Sequence, residues 1–109
     1  MNDENRKIVD FAAIGVLAYV GRPNGEKARE FFHIDDFDNS TVSTMEVKFP
    51  EKTKTLSSSF FLGMFGKSII NSGGKTAFYK RFKFLAKEHI MNQIEKSVDR
   101  ALVSMNSSF

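Results

Sequence analysis

The period of the apolar positions changes several times along the chain, and each change marks an element. Lys7–Val20 (KIVDFAAIGVLAYV) is almost continuously apolar and breaks at Gly15; its β-rich runs at Ile8–Phe11 and Val16–Val20 predict two strands. GRPNG at Gly21–Gly25 is a dense turn signal. Glu26–Phe32 (EKAREFF) then predicts a short helix, with Pro23 suited to its first turn and Ala28, Phe31 and Phe32 on one side. His33–Ser43 is polar and reads as a loop. Met45–Phe49 (MEVKF) alternates and stops at Pro50, the mark of a half-buried strand. PEKTKT connects it to SSSFFLGMFGKSII, a helix ended by Ser72–Gly74. Lys80–Phe84 (KRFKF) alternates again and predicts a strand. Ile90, Ile94, Val98, Ala101 and Met105, with Met91 and Leu102 beside them, mark one face of a long final helix.

The order is therefore ββαβαβα, which predicts an α/β fold with a mixed sheet of about four strands packed with helices. A chain of 109 residues has room for one domain. Its expected limits are a disordered N-terminus at 1–6, a domain at 7–105 and a tail at 106–109. No run approaches the roughly 18 apolar residues of a membrane span, and MNDENRK lacks the basic start of a signal peptide. A cytoplasmic protein with no membrane contact is expected. The absence of cysteine excludes a disulfide scaffold, a thiolate metal site and cysteine nucleophiles. Twelve phenylalanines and no tryptophan predict an aromatic core, because Phe has no polar handle and belongs inside or in a partner contact.

Charge is unevenly spread. Residues 1–50 carry 6 Lys/Arg against 9 Asp/Glu, a net of −3, whereas residues 51–109 carry 10 against 4, a net of +6. The excess lies in Lys67, Lys75, Lys80, Arg81, Lys83 and Lys87, with no acid among them until Glu88. Lys75, Lys80, Arg81, Lys83 and Lys87 are candidates for anion binding, with Phe78 and Tyr79 available for stacking. A solvated rim that keeps a Phe-rich protein in solution explains the same run.

Most motifs fail on their spacing. Gly66-Lys67-Ser68 and Gly74-Lys75-Thr76 end as a P-loop ends, but the required earlier glycine is replaced by Phe61 and Ile69. His33, Asp35, Asp36 and Asp38 cluster, yet an EF-hand begun at Asp36 would have Thr41 for its glycine and Val47 for its final glutamate. His33 and His89 are the only candidates for a histidine base, and nothing in the spacing places a serine near either. No catalytic residue, metal or cofactor is expected.

Ser57, Ser58 and Ser59 stand directly before the apolar helix. One of them should cap it by accepting hydrogen bonds from first-turn N–H groups. A hydroxyl there also lies where negative charge is favoured, so phosphorylation would be stabilised and could switch a partner. The helix behind them leaves little polar surface. Phe60, Phe61, Met64 and Phe65 are candidates for partner contact, burial between neighbouring helices being the competing account.

The order of these segments resembles a known family. MEVKF, then SSSFFLGMFGKSI, then KRFKFLAKEHIMNQIEKSVDRAL is similar to the bacterial STAS-like domain family of unknown function, and Arg22, Gly25 and Arg29 in GRPNGEKAR match its Arg-x-x-Gly-x-x-x-Arg stretch. The resemblance implies the fold of sulfate-transporter and anti-sigma-factor-antagonist domains. In the antagonists an Asp-Ser-Ser-Gly turn carries a serine phosphorylated by a partner kinase, which ends binding. On this chain those positions are Ser57, Ser58, Ser59 and Phe60, so the acid and the glycine are both replaced. The expectation is a non-enzymatic regulatory domain that binds a protein partner, a histidine-kinase-type ATPase by the resemblance, and is itself a monomer or homodimer. The alternative is nucleic-acid or nucleotide binding through the basic run at 75–87.

Overall fold

The computed structural model describes residues 6–106, and side chains through Val103. The expected disorder and tail fall almost wholly outside that range, as does the side chain of Met105. Arg6 is already in a strand and Asn106 still in a helix, each one residue beyond the expected domain limits. The described elements are β1 (Arg6–Asp10), β2 (Ala18–Tyr19), α1 (Arg22–Phe31), α2 (Ile34–Asp38), β3 (Thr44–Lys48), β4 (Thr55–Leu56), α3 (Ser58–Ser72), α4 (Lys75–Arg81), β5 (Phe82–Leu85) and α5 (Glu88–Asn106). The class is α/β, as the alternation predicts.

The described ladders are all parallel. β3 lies between β1 and β5, with Arg6 opposite Thr44 and Met45 opposite Phe82, while β2 pairs with β4, Tyr19 opposite Leu56. The expected single mixed sheet of about four strands is thus a three-stranded and a two-stranded parallel sheet. A 3-10 turn at Phe11–Ala13 and Gly15 at φ 77° separate β1 from β2, so the chain leaves the first sheet before β2 begins. The order also gains α2, β4 and α4. Ile34 and Phe37, three residues apart within an acidic run, are enough to bury one face of the short α2.

Alternation gives the larger sheet one covered face. Val9, Met45, Val47, Phe82 and Phe84 point into the core, whereas Ile8, Lys83 and Leu85 remain exposed on the other side. α3 fills the inner side, where Phe65 meets Phe82 and Phe84 at ring separations of 5.5 and 5.4 Å. α1 presses against α3 so closely that a Cβ on Gly25 would overlap the Phe60 carbonyl, and one on Gly63 the Arg22 carbonyl. Ile90, Ile94 and Val98 of α5 are buried too.

This arrangement overturns one expectation. Phe60, Phe61, Met64 and Phe65 are 0–4% exposed and belong to the core. The sheet and two flanking helices cover these four side chains, whereas Ile70 near the end of α3 remains 57% exposed.

Candidate functional site

The serines at the start of α3 have three different environments. Ser57 is the N-cap: its Oγ accepts from the Phe60 N–H at 3.1 Å, and its own N–H donates to the Tyr19 carbonyl at 2.9 Å. Ser58 is half-buried, its Oγ 3.1 Å from that of the buried Ser97 on α5. Ser59 is exposed. The resemblance makes Ser58 the phosphate acceptor, but the hydroxyl open to solvent is that of Ser59. Gln93 ties α5 to the same corner, its Oε1 accepting from the Leu56 N–H at 2.9 Å.

Beside this corner lies an apolar groove of about 590 Å³, walled by Ile14, Val16 and Val20 on one side and by α1 on the other. Tyr19 and Phe60 contribute to its lining, their rings 5.4 Å apart. Of its lining, Val16 is 44% exposed, Val20 50% and Phe31 60%. These three are among eight exposed large apolar side chains of the described residues, and they share one groove rather than standing singly. Lys27 is the charged residue of the lining. Tyr19 donates its hydroxyl to the Val16 carbonyl at 3.0 Å; burial, and then the carboxylate of Asp10, push its pKa upward. Asn24 Nδ2 caps the Val20 carbonyl at 3.0 Å.

The basic run does not act as one surface. Lys75 reaches across to α5, 2.8 Å from Asp99 and 3.5 Å from Glu95, and the hydrogen bond to Asp99 leads the effects that raise its pKa. Arg81 turns inward over the Phe37 ring and donates to the carbonyls of Phe37 (2.7 Å), Ser40 and Val42 (both 3.2 Å). Lys80 is exposed on α4 and Lys83 on the open sheet face, while Lys87 lines a shallow recess with Lys48 at the ends of β5 and β3.

The acidic cluster has a structural use. Arg29, 6% exposed, donates to Asp35 and Asp38 at 2.8 Å, to the Met64 carbonyl at 2.7 Å and to Ser68 Oγ at 3.0 Å. Ser68 Oγ donates to Asp38 at 2.7 Å, so one buried network joins α1, α2 and α3. His33 Nδ1 lies 3.8 Å from Asp36, and His89 Nε2 lies 3.2 Å from the Lys54 carbonyl. No group of three or more His, Cys, Asp or Glu is arranged to hold a metal among the described residues. The first P-loop-like fragment lies inside α3; the second opens α4 rather than closing a helix, and a helix instead of a strand precedes it.

These groove positions were missed as a site because Val16–Val20 reads as a strand interior and Phe31 as part of the apolar side of a helix. Their exposure depends on α1 and α3 packing beside them, which no local pattern encodes. Comparison with protein-family models, with curated proteins and with solved structures finds no match for this chain.

Proposed function

We propose that the chain is a non-enzymatic regulatory domain of the STAS-like kind, which binds another protein through the apolar groove between β2 and α1. The carrying observation is the gathering of the exposed Val16, Val20 and Phe31 on that groove, next to a helix start with an exposed serine. Phe60 lines the groove and directly follows Ser59, so a phosphate on Ser59 would place about −1.5 to −2 charges beside an apolar contact. Desolvating that charge would weaken docking, which gives the serine segment its switching role. A histidine-kinase-type ATPase as the partner follows from the resemblance alone.

The test is capture of a partner from lysate of the native host by the immobilised chain. A protein held by the wild type should be lost with Phe31→Asp and Val20→Asp, and held less by Ser59→Glu, with circular dichroism unchanged in all three. Equal capture by Phe31→Asp and Val20→Asp would overturn the reading. The alternative, nucleic-acid or nucleotide binding at 75–87, has Lys80, Lys83 and Lys87 left to carry it, since Lys75 and Arg81 are engaged elsewhere.

A further inference from the structure

A second groove runs along the other flank of α1, against α3, with a volume of about 560 Å³. Leu62, Gly63, Gly66 and Ile70 of α3 line it with Ala101 of α5. The two glycines differ in kind. Gly63 is needed because the Arg22 carbonyl occupies the place of a Cβ. At Gly66 nothing lies within 4 Å of that place, and its φ is not positive. Glycine weakens a helix interior relative to alanine, and no contact within the chain offsets the loss at Gly66. Ile70, one turn on, is 57% exposed.

The walls add a second observation. Arg22, Glu26, Glu30 and Lys67 are exposed on the groove, and none forms an ion pair among the described residues. Two bases and two acids form a set that is matched by itself. A twofold axis can set the acids of one copy against the bases of another, whereas a partner of single sign would face like charge at half the positions.

We propose that this groove is the interface of a homodimer. α3 of a second copy lies across Gly66, covering Leu62 and Ile70, and Arg22 and Lys67 of each copy face Glu26 and Glu30 of the other.

The test is solution mass by light scattering on the full chain, from micromolar to near-millimolar concentration. The wild type should rise from the 12.4 kDa monomer toward twice that mass. Gly66→Leu fills open space without disturbing the chain's own packing and should stay monomeric. Beside the Arg29–Asp35 pair that also lines the groove, Arg22→Glu/Lys67→Glu makes the four unpaired wall charges all acidic and Glu26→Lys/Glu30→Lys makes them all basic. Each should be monomeric alone, and an equimolar mixture of the two should dimerise. A wild type that stays monomeric, a dimeric Gly66→Leu protein, or a mixture that fails to associate would each overturn the proposal. Phe31→Asp should leave the dimer intact, which separates this interface from the partner groove.

Discussion

Arg29 is the most consequential charged side chain in the molecule. Its guanidinium replaces water with four oxygen acceptors, and its carboxylate partner Asp38 is itself 7% exposed. Removing one member of a buried ion pair leaves the other charged and dry, which typically costs about 3–5 kcal/mol. Arg29→Met should therefore lower the urea midpoint by that amount of stability, while Asp35→Ala, at a carboxylate 68% exposed, should change it little. Tyr79 gives a different single-residue effect. Burial leads the causes that raise its pKa above the ordinary 10.0, so the fold prefers the protonated phenol more than the unfolded chain does. That contribution is complete below pH 10.0 and is lost as pH climbs from there through the folded value. Thermal melts across this alkaline range should fall less steeply for Tyr79→Phe than for the wild type, with Tyr19 supplying the remaining slope in the same direction.

Between elements, the crossing of α1 and α3 is set by Gly25 and Gly63, and a test on glycines separates packing from helix propensity. Gly25→Ala must push the two helices apart, at about 1–3 kcal/mol. Gly66→Ala meets no obstruction and should gain about 0.8–1.0 kcal/mol in dilute solution. Chemical denaturation of the two variants should shift in opposite directions. Gly25 and Arg29 each have a packing reason, a close approach to Phe60 and a buried ion pair, whereas at Arg22 it is the backbone carbonyl, common to every residue type, that lies against Gly63. Long elements were legible in the sequence because their periods repeat; α3, α5 and β3 lie where the spacing places them, and a serine cap follows from residue type, although only the structure singles out Ser57 among the three. α2 and β4 escaped notice because five residues and two residues cannot establish a period. The strand expected from Lys80 begins instead at Phe82, because Phe78 turns the preceding residues into α4 and buries there. The apolar groove was illegible for another reason: β2, α1 and α3 each supply part of it, so it exists only after they pack.

Taken whole, the molecule has α1 as a partition between two grooves of unlike chemistry, one nearly without charge and one with balanced charge. Salt should tell them apart. Partner capture at the apolar groove should hardly change with ionic strength, while self-association at the charged groove should weaken as salt screens exposed pairs. Paired light-scattering and capture measurements at low and high salt would show the difference. The parallel ladders also govern how the chain can be made. Each strand pairs with one lying roughly a third of the chain away, since Arg6 must wait for Thr44, Ala18 for Thr55 and Met45 for Phe82. On a ribosome adding about 5–20 residues per second, that interval is roughly 2–8 s, during which β1 has no strand to join. Its sequence, RKIVD, carries three charges in five positions and so guards the nascent edge against stray pairing until its neighbour is synthesised.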